Sequence, residues 1–221
     1  MTNIVSPKSL CAAAAAYFSA RGYFVRRNYK IFNNPLDIVC IMPRLIELKK
    51  RVKTKYFVPS GILYTLIDQG WKSTEEIATE INASKKFVIT ILDDLIENEW
   101  VEKKNKNKKI LWKLKKYRIP SKDCIIAHCR YRKTSQFLEN LNEISGCYNK
   151  LYLIFPFPIH EEFMDFCYEN GIGILIFYEK VGIFKEIIPP EIETVSNLKV
   201  YANISEVIIK ENFLYKSIDS I

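Results

Sequence analysis

None of the six cysteines, at positions 11, 40, 124, 129, 147 and 167, forms a Cys-x-x-Cys pair. That removes the commonest spacing of zinc and dithiol redox motifs. Several sit inside apolar runs such as "LDIVCI", where cysteine acts as a small hydrophobe. Cys124, His128 and Cys129 lie close in sequence, but three soft ligands fall short of the four that structural zinc usually takes. No apolar run reaches the roughly 18 residues of a membrane span. "LCAAAAAYF" is followed by "SARGYFVRR" rather than by a cleavage site, so no secretory signal is expected either. The reading is a soluble cytoplasmic protein with reduced thiols and no membrane partner. Glutamine is scarce, while Ile, Lys, Tyr and Asn are abundant, a composition that fits an AT-rich archaeal or viral genome. No internal repeat is apparent.

What is present is apolar surface and positive charge. Apolar residues make up 48% of the 221, enough to predict a packed core rather than disorder. The formal net charge of +8 points to a polyanionic partner.

The periodicity changes twice along the chain. "PKSLCAAAAAYFSAR" predicts a helix with Leu10, Ala13, Ala14, Tyr17 and Phe18 on one face, ended by Gly22. "YFVRRNYKIF", "LDIVCI" and "RLIELKKRV" read as three strands, separated by the turn at Asn33-Asn34-Pro35 and by Met42-Pro43. From about residue 58 the spacing becomes helical, in "SGILYTLIDQG". "STEEIATEIN" follows, with Ser73 and Glu76 in capping-box spacing. "SKKFVITILDDLIENEW" then predicts a helix with Phe87, Val88, Ile91, Leu92, Leu95 and Ile96 inward. "VEKKNKNKKILWKLKKY" is a hairpin with a Lys/Asn tip. Trp71, Trp100 and Trp112 lie in or beside apolar runs and are expected in the core. After Pro120 an α/β pattern resumes. "CIIAHCRYR" is a strand and "TSQFLENLNEIS" a helix with Phe137, Leu138, Leu141 and Ile144 inward. "KLYLIFPF", "IGILIFY" and "VGIFKEII" are strands around the helix "IHEEFMDFCYENG". The tail from Pro189 has no single reading.

The order helix, helix, turn, helix, hairpin over 58–117 resembles a winged helix-turn-helix domain. Such a module offers its last helix to the major groove and its hairpin to the flanking backbone. The resemblance implies double-stranded DNA as partner. Lys85, Lys86 and Thr90 would stand at the start of the last helix, and Lys103, Lys104, Lys106, Lys108 and Lys109 on the hairpin. The bland reading of the same tip is a solvated surface.

The flanking segments carry the leading helix, "ARGYFV", "PLDIV" and a later strand-helix-strand-helix-strand run. Together they resemble the PD-(D/E)XK, or restriction-endonuclease-like, nuclease superfamily. The implied fold is an α/β mixed sheet flanked by helices. The nuclease-like domain would run over 1–57 and 118–221, with the winged helix inserted at 58–117. The implied chemistry is a Mg²⁺ or Mn²⁺ ion held by two carboxylates, with a lysine orienting the attacking water. Asp37 matches the first carboxylate. Two segments compete for the rest. Glu47 and Lys49 in "LIELK" give a complete catalytic set with Asp37 and Glu47 as metal ligands. His128 and Arg130 in "IIAHCRYR" stand in the better strand-then-helix context and leave Asp37 without a second carboxylate. Cys11 takes the place of an acidic residue that many relatives carry on the leading helix. A hairpin with merely charged ends accounts for Asp37 and Glu47 as well. The favoured reading is a DNA-binding regulator or DNA-processing accessory factor with a degenerate metal site. An active endonuclease using Asp37, Glu47 and Lys49 is the alternative; most winged helices and restriction-like nucleases pair up, so a homodimer is a possible partner state that the sequence does not decide.

Overall fold

Asn34–Pro43 is a ten-residue strand (β2) that pairs antiparallel with Phe24–Ile31 (β1) across a two-residue turn. In the computed structural model, residues 5–54, 60–67, 70–107, 109–115, 117–130 and 143–216 are described. The chain divides into two units, Met1–Pro43 with Ser121–Asn197, and Arg44–Pro120 with Leu198–Ile221.

The first unit is a six-stranded mixed sheet in the order β1-β2-β6-β7-β8-β9, with β6 Ser121–Cys129, β7 Lys150–Phe155, β8 Gly173–Tyr178 and β9 Ile183–Ile188. β6, β7 and β8 run parallel, and the outer pairings are antiparallel. The parallel strands "CIIAHC", "LYLIF" and "GILIF" are nearly continuous apolar runs, as strands buried on both faces require. One face is covered by Pro7–Ser19 (α1), whose buried Leu10, Ala14 and Phe18 follow helical spacing. They pack on Ile38, Cys40, Ile125, Ala127, Cys129, Tyr152, Ile154 and Leu175. Ser6 caps α1 through Ser9 N–H, and Gly22 follows at φ 84°, the left-handed conformation that glycine supplies without strain. Two of the predicted inward residues, Ala13 and Tyr17, are only half-buried. The helix expected over 134–145 lies mostly outside the described residues, including Phe137, Leu138 and Leu141; Ile144 is buried.

The second unit begins with a helix where the sequence pattern suggests a strand. "RLIELKKRV" is not a strand, because Leu45–Thr54 forms a helix (α2). Its Leu, Glu, Lys and Arg content favours helix, with Glu47 in the first turn and Arg51 and Lys53 in the last, complementing the helix dipole. Ser60–Leu66 (α3), Lys72–Ser73 (β3), Thr74–Glu80 (α4), Lys85–Glu97 (α5), Val101–Lys106 (β4) and Lys109–Leu114 (β5) follow, with a small antiparallel sheet in the order β3-β5-β4. The capping box is present at Ser73 and Glu76, and Ser84 caps α5. The core joins Ile62, Leu63 and Leu66 to Ile77, Val88, Leu92, Leu95, Trp100 and Trp112.

This core also takes in Ala202, from the helix Leu198–Lys216 (α7), which in sequence follows the sheet unit's helix Glu161–Glu169 (α6). Arg51 on α2 is fully buried, and its Nε lies 3.1 and 3.0 Å from the two carboxylate oxygens of Glu206 on α7. Arg51 Nη1 donates to the Glu47 carbonyl and carboxylate, both at 3.1 Å, and Tyr117 donates to Glu206 at 3.0 Å. The unit therefore extends beyond the expected insertion 58–117 on both sides, and the ambiguous tail supplies one of its helices.

Breaking one partner of a buried ion pair strands the other charge in low dielectric, which costs about 3–5 kcal/mol, whereas an apolar replacement of both can be neutral. Glu206→Ala is therefore expected to lower stability by about that much in urea unfolding. Arg51→Met with Glu206→Leu should recover most of the loss. A single-variant loss under about 1 kcal/mol, the range of exposed pairs, would contradict the burial.

Candidate functional site

Asp37 enters the sheet where β2 passes between β1 and β6. The pairing Ile38↔Ala127, carried back one residue, sets Asp37 opposite His128. On the other side the ladder skips the Asn28–Asp37 pair, and Asn28 takes φ 54°, a left-handed conformation that Asn tolerates better than most residues. Asp37 Oδ2 accepts the backbone N–H of Cys129 at 3.0 Å and lies 3.4 Å from His128 Nδ1. Arg130 Nη2 stands 3.2 Å from that same Nδ1. The Arg130 backbone N–H donates to the Ile154 carbonyl at 2.8 Å, so Arg130 continues β6 beside β7. The site is thus at the carboxyl end of the parallel strands, where α/β sheets usually place ligands.

Electrostatics follow from burial. The His128 side chain is nearly inaccessible, whereas that of Asp37 is 36% exposed. Burial is the main influence on His128 and lowers its pKa; Asp37 works against this, and Arg130 adds to it. Nδ1 is within reach of both groups, donating to Asp37 when it carries a proton and accepting from Arg130 when it does not. Burial alone would raise Asp37, but its contact with His128, the Cys129 N–H and the Arg130 guanidinium outweigh it and hold the carboxyl below its ordinary range. On the α1 side of the sheet the Cys11 and Cys129 thiols hydrogen-bond to each other. That bond is the main influence lowering Cys11 and the main influence raising Cys129, with burial adding to the rise.

These groups do not suit Mg²⁺ or Mn²⁺. Such ions want several oxygen ligands. Here one carboxylate already accepts a backbone N–H, the imidazole nitrogen facing it also faces Arg130, and the guanidinium repels a dication. Among the described residues no three His, Cys, Asp or Glu side chains converge as a metal site, and that includes Cys124, His128 and Cys129. The pair Glu47–Lys49 does not join Asp37 on a hairpin. Both lie on α2 in the second unit, where the Glu47 carboxylate is 3.1 Å from Arg51 and Lys49 is exposed. An i,i+4 Glu47–Arg51 spacing was the available signal for helix here.

The basic residues gather on the second unit. Lys85, Lys86 and Thr90 lie exposed on the first two turns of α5. Lys85 is 2.9 Å from Glu75, and the Thr90 hydroxyl donates to the Lys86 carbonyl at 3.1 Å. On the β4–β5 hairpin Lys103, Lys104, Lys106 and Lys109 are all exposed, and Lys106 faces Lys109 at the tip, where Asn107 turns at φ 51°. Lys108 lies outside the described residues. Lys104 Nζ sits 3.9 Å above the Trp71 ring. Trp100 and Trp112 are buried as expected, whereas Trp71 is half-exposed. Phe87, expected inward, is 55% exposed, because the buried stripe is Val88, Leu92 and Leu95.

No family model matches the chain, and neither a curated protein nor a solved structure matches it.

His128 and Asp37 both hold folded pKa values below their ordinary ones, so the unfolded chain binds more protons as the pH falls. Stability is fully present above the unfolded pKa values. It should begin to fall as pH drops below about 6.5, through His128, and fall further near about 4, through Asp37. Urea midpoints measured down this range should show both losses, and His128→Asn should remove the first. A His128 ring that titrates by NMR at or above about 6.5 would contradict the burial argument.

Proposed function

We propose that this chain is a double-stranded-DNA-binding protein with a nuclease-like fold, an inserted winged helix-turn-helix and a degenerate metal site. In this reading it acts as a regulator or an accessory factor in DNA processing. The observation that carries the proposal is the set of exposed lysines on two adjoining features of one unit, the start of α5 and the β4–β5 hairpin. A winged helix uses the same two features, the helix for the groove and the hairpin for the backbone. The acidic residues Asp93, Asp94 and Glu97 follow on α5, so the face open to a polyanion is limited to its first two turns.

The degenerate-site part rests on Asp37 facing an imidazole and a guanidinium instead of a second carboxylate. Phosphodiester hydrolysis on two-carboxylate sites needs the metal to polarise the phosphate and activate water. Asp37, His128 and Arg130 can bind and orient a phosphate edge through Arg130, but they offer no second oxygen ligand. The endonuclease alternative with Asp37, Glu47 and Lys49 is not favoured, since Glu47 and Lys49 lie on the helix α2 and not on a strand of a shared hairpin.

Two measurements test this. Duplex DNA should bind with an affinity that falls steeply as salt rises, from counterion release. Lys86→Ala, Lys106→Ala and Lys109→Ala together should flatten the log–log salt slope by about one unit per lost phosphate contact. Binding that is absent at low salt, or indifferent to salt, would sink the proposal. Plasmid, flap and four-way-junction DNA should stay intact with Mg²⁺ or Mn²⁺. Cutting that Asp37→Ala abolishes would make the site active and overturn the degenerate reading.

A further inference from the structure

Phe87 and Ile89 expose 55% and 39% of their surface on α5, beside Lys86 and Thr90. The helix has no need of them for its own core, which Val88, Leu92 and Leu95 fill. An aromatic ring left in water forgoes a favourable burial, and here it stands beside lysines suited to a polyanion rather than alone. We infer that α5 reads thymine C5-methyl groups in the major groove, with the Phe87 ring as the contacting group. The inference rests on the DNA-binding reading above.

The chemistry of the face selects this partner. Base edges are read either by paired hydrogen bonds or by apolar contact. Of the side chains that pair bidentately with guanine or adenine, the helix "KKFVITILDDLIE" holds no Arg, Asn or Gln and only Lys85 and Lys86. Two of its polar groups near the N-terminus already have partners within the chain. Lys85 pairs with Glu75, and the Thr90 hydroxyl hydrogen goes to the Lys86 carbonyl. Lys86 offers a mobile point charge suited to phosphate. What is left to touch bases on the Phe87 side of the helix is apolar: the Phe87 ring and, three residues on, the Thr90 methyl. The one apolar group that a base pair shows in the major groove is the thymine methyl. The lysines that flank this patch on α5 and on the β4–β5 hairpin favour a polyanionic surface as the occupant over an apolar protein face.

The test uses the full chain and three 20-base-pair duplexes: alternating dA-dT, the same duplex with deoxyuridine for thymidine, and a dG-dC control. Deoxyuridine keeps the pairing and removes only the methyl. Fluorescence anisotropy at fixed low salt should show tighter binding to the thymine duplex, by about fourfold for each methyl buried. Phe87→Ala should bind the thymine and uracil duplexes equally while keeping the wild-type salt slope. Since Phe87 lies outside the buried stripe, this variant should fold, and its unfolding curve checks that. Equal binding of thymine and uracil duplexes by the natural protein overturns the inference and leaves the DNA-binding reading standing. A Phe87→Ala variant that still discriminates between them overturns it as well. No binding to any of the three duplexes takes down both.

Discussion

Arg51 is buried to 0% exposure, and a guanidinium can be held there only if its charge and its donors are met. Glu206 meets them from 155 residues away, with Glu47 and the Arg118 carbonyl completing the set. This constraint decides which segments belong together. It ties α2 to α7, and so makes the second unit from the middle of the chain and its last helix. The sheet unit then consists of the stretch before Arg44 and the stretch from Ser121 to Asn197, and Asp37 is left with the neighbours that β6 provides.

Those neighbours determine what the sheet unit can do. His128 on β6 and Arg130 just past its end reach the same side as Asp37, while Cys129 faces α1. A carboxylate so placed is stabilised as an anion by a backbone N–H and a guanidinium, an arrangement that satisfies its charge inside the protein. A catalytic metal site needs the reverse, a surplus of negative oxygens that a dication can neutralise. The lysines proposed to meet DNA lie on α5 and the hairpin of the other unit. In the proposed reading the DNA-binding lysines and the Asp37 cluster therefore belong to different units.

Much of this was legible in the sequence. Alternation and apolar runs located β1, β2 and β6 to β9, and the Ser73 and Glu76 spacing located α4. The strand context of "CIIAHCRYR" set His128 across from Asp37. Residues 45–54 were misread because Leu45, Ile46, Leu48 and Val52 look like a short apolar strand, whereas the helix is held by Glu47–Arg51 and by burial of Arg51 against a distant partner that local pattern cannot reveal. The tail was opaque for the same reason: Glu206 reads as a surface acid until Arg51 is known to face it. Phe87 was misplaced because it neighbours Val88, and spacing alone did not show on which side of the stripe it falls. The positive φ of Asn28 beside Asp37 had no sequence signal beyond Asn itself.

The most direct test of where this protein acts is a map of backbone amide shifts by NMR as duplex DNA is added. The account predicts changes at residues 84–90 and 103–109, with those of Asp37 and of residues 128–130 unmoved. Changes centred on Asp37, His128 and Arg130, with α5 and the hairpin silent, would contradict it.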